Sequence, residues 1–417
     1  MMDSYAKIIS ELSRLRREPE WMLNWRMNAY YCFVACGCPK WSEVGDCEAR
    51  ANACFDVSRE AQDVAFDLQV TGCDVDVVYD ASSIYLNMTK ELRSLGILFT
   101  SLARAVLLYP KLVRRYLGSV VFQNDNYFAA LNSSLFTDGT FVRIPRHVNC
   151  PINLSTYFRI TSGCVGQFER TLVVLDADSC ASYFEGCNSS RLDRLVLHAA
   201  VVELVVWDRS SLKYTTLQNW ASGGSSGVHN LVTKRALCAG YGSKVVWVQI
   251  EIGASLTWKY PSSVLYAKAS RSEFYSLSIS NGQQRVDTGT KCYHLSRGTS
   301  SSVLAKAVVL GSSFSLFRAL ISMKSELCRS HIRCDALLAS ELCTVRALPM
   351  IEAGAWPCSV EYESVNSYIT AQQLKYCEQR GLSFTDAVRL VVNGYAQEIV
   401  KRLPLEAALE VTKLLFV

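Results

Sequence analysis

A mainly β chain with helical regions at both ends follows from two patterns in the sequence. From about Phe141 to Ser367 it breaks into short runs rich in Val, Ile, Thr, Tyr and Trp, such as Thr171–Leu175, Leu195–Trp207, Lys213–Trp220, Ser243–Ile252 and Ser302–Leu310, separated by Gly, Ser, Asn and Asp. β-branched and aromatic residues set between turn formers suit strands, and no helical period competes. On either side of that span apolar residues return at helical spacing. The expected division is a helical and mixed region over 1–140, a β core over 141–368 and a helical region over 369–417.

The elements follow in order. Met1 to Arg17 reads as a short amphipathic helix, with Ile8, Ile9, Leu12 and Leu15 on one side and two acids, and it lacks the apolar centre and cleavage site of a secretory signal. Glu20–Tyr30, rich in Trp, Met and Arg, and Ser101–Leu117, interrupted at Pro110, read as further helices. Between them Cys32, Cys36, Cys38, Cys47 and Cys54 gather around Gly37 and Pro39, but zinc knuckles use paired C-x2-C units, so a thiol-rich loop is expected. The many short strands of the core allow a sandwich, a barrel or a stacked solenoid. After Tyr368, Ser383-Phe384-Thr385-Asp386 resembles a capping box, and Val388, Val391, Val392, Tyr395 and Ile399 follow at helical spacing until Pro404. Leu405–Phe416 then offers Leu405, Ala408, Leu409, Leu414 and Leu415 as an apolar side.

Composition excludes several functions. The chain has 417 residues, half of them hydrophobic, so a large core is available. Its net charge of +5 arises from 43 basic against 38 acidic residues with no long basic run, which gives a nucleic acid or an anionic membrane nothing to hold. The longest apolar stretches are broken by His198 and Glu203, or by Arg104, so no membrane span is expected. Seventeen scattered cysteines in a large chain without a signal point to reduced thiols, hence to a soluble, non-secreted protein of a cytosol-like compartment. Neither a G-x-x-x-x-G-K-[ST] nor a G-x-G-x-x-G motif is present, so the chain is not expected to hydrolyse ATP or bind a dinucleotide, and no enzyme signature remains.

One reactive group stands out. Ser330-His331-Ile332-Arg333-Cys334-Asp335 is followed, after a gap, by Glu361-Tyr362-Glu363. A thiol near histidine, arginine and carboxylates has the makings of an iron ligand or a sulfur carrier. Glu361 and Glu363 share one face of a strand, with Tyr362 on the other.

Longer motifs surround it: Asn149-Cys150-Pro151-Ile152-Asn153-Leu154-Ser155-Thr156-Tyr157-Phe158-Arg159-Ile160, Gly166-Gln167-Phe168-Glu169-Arg170-Thr171, Glu185-Gly186-Cys187, Leu197-His198-Ala199-Ala200-Val201-Val202-Glu203, Thr216-Leu217-Gln218-Asn219-Trp220, Val232-Thr233-Lys234-Arg235-Ala236-Leu237 and Asp287-Thr288-Gly289-Thr290-Lys291. In this order and spacing the chain resembles the SufB family, scaffold subunits of the Suf iron–sulfur cluster assembly system, from about Glu18 to Val417 and least between Cys32 and Gly72. The resemblance implies a right-handed parallel β-helix core. It implies that Cys187 accepts persulfide sulfur from a cysteine desulfurase and its relay protein, and that Arg159, Gln218, Trp220 and Lys234 line an interior polar path. Cys334 with Glu363, and Glu361 as neighbour, would hold a nascent iron–sulfur cluster of undetermined type at the interface with SufD or a second SufB, before transfer to apo-proteins.

The C-terminal helices would cap the solenoid or dock the SufC ATPase. The family also admits a reduced flavin, for which no residue here is identified. Thr161 and Tyr362 depart from the family's asparagine and histidine. His331 is a candidate to position the Cys334 thiol, and His198 is expected to pack in the β core with one ring nitrogen bonded. The rival readings are a SufD-like partner subunit, against which both Cys187 and Cys334 argue, and a β-helix enzyme acting on polysaccharide, which would carry a secretion signal and an acidic groove. A bacterial cytoplasm or a plastid stroma is the expected location.

Overall fold

A computed structural model describes residues 2–37, 75–79, 82–85, 90–160, 166–189, 195–220 and 227–415. Cys38, Cys47, Cys54 and Thr161 lie outside them. The core is a β-solenoid of about seven turns, mainly parallel in its pairing, with helices at both ends of the chain.

Each coil gives one strand to each of two facing sheets. The first sheet runs β2 (Ser82–Tyr85), β1 (Val75–Tyr79), β5 (Asn149–Ile160), β7 (Cys180–Ser189), β9 (Ser211–Asn219), β11 (Lys244–Ile252), β14 (Arg271–Ser280), β16 (Ser300–Val309), β18 (Arg329–Leu338) and β20 (Ser359–Tyr368). The second runs β3 (Leu98–Ser101), β4 (Thr140–Ile144), β6 (Gly166–Leu175), β8 (Leu195–Val206), β10 (Gly227–Cys238), β12 (Leu256–Lys259) with β13 (Ser262–Leu265), β15 (Arg285–His294), β17 (Phe314–Met323) and β19 (Thr344–Ala353). Only β1 with β2 and β3 with β4 pair antiparallel among the described strands.

A repeated corner holds the coils in register. His147, Asp178, Arg209, Gly242, Ala269, Gly298 and Leu327 occupy the same turn of successive coils, all with positive φ between 50° and 71°. The amide of each donates to a carbonyl one coil further on, as from Asp178 to Asp208 and from Ala269 to Arg297. The left-handed turn lets the chain change direction without breaking the ladder. Behind it Ser179, Ser210 and Ser270 each bond the carbonyl three residues back, at 2.5–2.8 Å.

Helices cover both outer faces. On the second sheet, α1 (Met2–Leu15), α2 (Glu20–Cys36) and α6 (Tyr127–Leu135) share a core with Phe168, Leu172, Val174 and Leu231. The short α3 (Lys90–Ser94), α4 (Leu102–Leu108) and α5 (Pro110–Tyr116) lie between them in sequence. Arg170 and Glu203 form a fully buried ion pair at 2.6 Å, and Glu203 also accepts the amides of Gly118, Val120 and Val121. This network fixes the loop after α5 to the sheet.

At the other end of the chain stand α7 (Ala371–Glu378), α8 (Phe384–Val400) and α9 (Leu405–Leu415). The sequence places them at the solenoid's end. The structure instead lays α8 and α9 along its flank, where Val392, Ala396, Ile399 and Val411 bury against Phe184, Leu217, Ile250, Leu277 and Leu304 on the outer face of the first sheet. That face is apolar over several coils, so a flat cover buries more surface than an end cap would. Lys306 adds an ion pair to Glu398 at 2.7 Å, and Lys213 bonds the Arg402 carbonyl at 2.6 Å. Cutting the chain after Tyr368 is therefore expected to expose this apolar face and cause self-association, with strand-type circular dichroism retained. A monodisperse truncated chain in light scattering would contradict that role for the helices.

Candidate functional site

Alternation along the strands decides what enters the solenoid. On β7, Tyr183, Glu185 and Cys187 point inward while Phe184 packs beneath the C-terminal helices. On β9 the same alternation buries Tyr214, Thr216 and Gln218, with Trp220 just past the strand, and on β11 it buries Trp247, Gln249 and Glu251. The facing sheet contributes Gln167, Glu169, His198, Asn230, Lys234 and Lys259, all buried. The interior is thus a polar column walled by apolar residues.

Its charges are paired. Lys234 meets Glu185 at 2.8 Å, and the Tyr214 hydroxyl donates to the same carboxylate. Lys259 bonds Glu251 and reaches Thr216 and Gln218 at 3.3 and 3.4 Å. Asn230 joins the groups, donating to Gln218 at 2.6 Å and to Glu251 at 3.3 Å, while its oxygen meets Nδ1 of His198 at 2.8 Å. His198 Nε2 faces Glu169 Oε1 at 3.2 Å, and the Cys187 thiol faces that oxygen at 4.0 Å. Both ring nitrogens of His198 therefore have polar partners, one more than the sequence leads one to expect.

Burial and neighbours set the protonation states. Burial, with the Glu169 and Glu185 charges adding to it, pushes the Cys187 thiol well above its usual range. Burial also raises Glu169, against the opposing pull of His198. Burial acts on Glu185 in the same sense, but Lys234 and the Tyr214 hydroxyl outweigh it and leave that carboxyl lowered. Lys259 is lowered by burial, partly offset by Glu251. Cys187 is thus a thiol at rest and needs a cation or a base to become nucleophilic.

Cys334 lies on the neighbouring inward column, five coils away. The register line runs Glu185, Thr216, Gln249, Ser276, Ala305, Cys334, Ser364. At about 4.8 Å per strand, five coils span about 24 Å. Along that line charges give way to hydroxyls, with Gln249 bonding Ser276 at 3.0 Å. The line ends at a cavity of about 20 Å³ lined by Ser276, Ser278, Thr288, Ser315, Phe317 and Cys334. That is room for a single water, not for a cluster.

The structure separates residues that the sequence groups together. Arg159 sits on the exposed outer face of β5, because Phe158 and Ile160 take the inward positions, so it does not join Gln218, Trp220 and Lys234. His331 and Arg333 point outward from β18, where His331 faces Glu363 at 3.7 Å and Arg333 pairs with Asp335 at 3.0 Å. They cannot acidify Cys334, whose thiol burial and then the Asp335 charge push up to about 12. Glu361 and Glu363 are exposed on the outer face of β20, while Tyr362 shares the inner face and core of Cys334. Cys334 and Glu363 thus lie on opposite faces of one sheet.

Glu169, Glu185, Asn230, Glu251 and Lys259 complete the column but carry no assignment from sequence. Glu169 and Glu185 stand inside quoted motifs. For Glu185 the available signal was the inward phase set by Cys187, two residues away on the same strand.

Comparison with known proteins agrees with this architecture. Residues 158–395 match the family described as SUF system FeS cluster assembly, SufBD core domain, and residues 52–154 match the SufBD protein N-terminal region. The chain is 38% identical over 437 residues to the iron–sulfur cluster assembly SufBD family protein ycf24 of Porphyra purpurea, covering 98% of this chain and 90% of that protein. It is 37% identical to the chloroplastic SufBD family protein ABCI8 of Arabidopsis thaliana, covering 97% of this chain and 78% of that one. It is 38% identical to the iron–sulfur cluster assembly protein SufB of Plasmodium falciparum, covering 81% and 73% respectively. The chain belongs to the SufBD family of iron–sulfur cluster assembly proteins.

Proposed function

We propose that this chain is the SufB-type scaffold, a non-enzymatic subunit that takes up sulfur at Cys187 and builds a nascent cluster at Cys334. The observation that carries this reading is the buried interior, where Cys187 and Cys334 stand five coils apart on neighbouring inward columns with Thr216, Gln249 and Ser276 among the side chains between them. In the first step the Cys187 thiolate attacks the outer sulfur of a donor persulfide, a new S–S bond forms on Cys187, and the donor departs as a thiolate. Lys234, beside Glu185, lies close enough to favour the anionic form. Release of the sulfur as hydrosulfide takes two electrons and a proton from an external reductant; a reduced flavin would supply the electrons, and no residue is assigned to hold it.

Partners follow from the same reading: a desulfurase with its relay protein at the Cys187 end, a SufC ATPase, and SufD or a second SufB. Edge strands β19 and β20 support the last, since they lack a further strand in the described residues and leave Leu348, Met350, Val365 and Tyr368 exposed. Because the cavity beside Cys334 admits only a water, the cluster forms where this last coil opens, and the outward Glu363 reaches it only if β20 shifts. Exposed Phe384, Leu390, Leu405 and Leu409 on the outer side of α8 and α9 suit the ATPase. No described helix is long and apolar enough to cross a membrane. A bacterial cytoplasm or plastid stroma remains the proposed location, supported by the chloroplastic relative.

A SufD-type subunit would need no thiol at either position. Anaerobic reconstitution with iron and sulfide tests the choice: the wild-type chain should develop cluster absorption, and Cys334→Ser should lose nearly all of it, because a hydroxyl is a poor iron ligand. Equal cluster yield in both would remove Cys334 from the mechanism.

A further inference from the structure

We propose that Glu169, Cys187 and His198 form a binding site for a divalent first-row transition ion, and that during assembly its occupant is Fe(II), held beside the sulfur-accepting thiol. The iron role rests on the function proposed above, whereas the metal site rests on geometry alone. Glu169 Oε1, Cys187 Sγ and His198 Nε2 lie within 4.8 Å of one another, all buried, the first and last on the paired strands β6 and β8 and the thiol on β7 of the facing sheet.

The tautomer of His198 is fixed from behind. Asn230 turns its amide nitrogen to Gln218 at 2.6 Å and to Glu251 at 3.3 Å, so its oxygen must face His198 and accept from Nδ1 at 2.8 Å. Nε2 is then left with its lone pair toward Glu169 Oε1, 3.2 Å away. Such outer support is how metal-binding imidazoles are oriented. Two acceptors face each other there, and a proton or a cation must stand between them. A proton would satisfy only that pair, whereas Glu169 Oε2 is also buried without a hydrogen-bond partner. A cation can draw on both carboxylate oxygens, the imidazole and the thiol at once.

The donor set suits the class of ion. One sulfur, one nitrogen and one carboxylate are shared by zinc, cobalt and ferrous sites, and three protein ligands leave a position open for an incoming group. Ligand atoms around such an ion stand about 3.3–3.8 Å apart, given bond lengths of about 2.0–2.3 Å, so rotamer changes of about 1 Å close the set. Binding forms a metal–sulfur bond in place of the S–H bond, and the thiol proton, with any proton on Glu169, leaves to solvent. Thiolate and carboxylate then balance the two charges of the ion.

Anaerobic titration of the full chain with Co(II) tests the site. One equivalent should bind and give a thiolate-to-cobalt charge-transfer band. Cys187→Ser should abolish the band, His198→Gln should weaken binding by about tenfold or more, and Cys180→Ser, at an exposed thiol, should change nothing. Glu169→Gln, nearly isosteric, should weaken binding to the same degree and decides the matter if the histidine variant does not fold. No thiolate band in the wild type, a band that survives Cys187→Ser, or affinity unchanged in both His198→Gln and Glu169→Gln would overturn the site. Persulfide on Cys187, fed by a desulfurase and read by mass spectrometry, separates the two readings. Persulfide without cobalt binding sinks this inference alone; cobalt binding without persulfide supports the metal site and removes the sulfur role.

Discussion

Lys234→Met is expected to destabilise the fold by about 3–5 kcal/mol, a large fraction of a domain's stability. The substitution leaves the Glu185 carboxylate buried with no cation in contact, Lys259 acting on it only from further off, and the Tyr214 hydroxyl alone cannot replace the ammonium at 2.8 Å. Removing both charges in Lys234→Met/Glu185→Gln should recover most of the loss, because a buried pair is far cheaper to replace whole than to break. The sign of the pH dependence follows. Glu185 is lowered in the folded state, so its contribution is present above the unfolded value near about 4.3 and fades as the pH falls through the folded one. The gap between wild type and the single variant should therefore narrow in acid. Urea unfolding at neutral and acid pH measures both effects, and a single variant as stable as the wild type would show that the column tolerates an unpaired carboxylate.

How far the fold could be read in advance differed by region. The helical ends were legible because Val388, Val391, Val392, Tyr395 and Ile399 repeat at helical spacing and Ser383 caps the Asp386 amide. Where they pack was not, since the apolar flank they cover is assembled from Phe184, Leu217, Ile250 and Leu304, which lie on separate coils. The strand texture was visible, but its stacking into a solenoid came from family likeness. The recurring corner is occupied by His147, Asp178, Arg209, Gly242, Ala269, Gly298 and Leu327, residues united by backbone geometry and by little else, so no sequence motif marks the period.

The site was half legible for a related reason. With helices on the outer faces, both sides of many strands are buried, and the polar-out alternation that usually sets the phase is lost. Leu197-His198-Ala199 is buried throughout, so nothing local says that His198 points inward. Family likeness supplied Cys187, Gln218, Trp220 and Lys234, all of which meet in the interior, but also Arg159, which strand phase turns to solvent. It joined Cys334 to Glu363 although odd and even positions of paired strands face opposite ways.

Cys187→Ser should leave the fold intact and almost eliminate sulfur uptake, a loss of at least about two orders of magnitude in persulfide formed, because a serine hydroxyl does not attack sulfur at neutral pH. The hydroxyl fills nearly the same volume, and Phe158, Ile160, Val196 and Trp220 still close around it. Free sulfide should bypass the block, since it needs no acceptor thiol to reach Cys334. A variant that takes up desulfurase sulfur as fast as the wild type would move the entry point elsewhere.

The path itself is tested most directly by following isotopically labelled sulfur from a desulfurase through the assembled complex, with rapid quenching and peptide mass spectrometry. Label should appear on Cys187 first and in cluster sulfide or on Cys334 later, and Cys334→Ser should let it accumulate at Cys187. Label reaching Cys334 undiminished in Cys187→Ser would contradict the interior route from one thiol to the other.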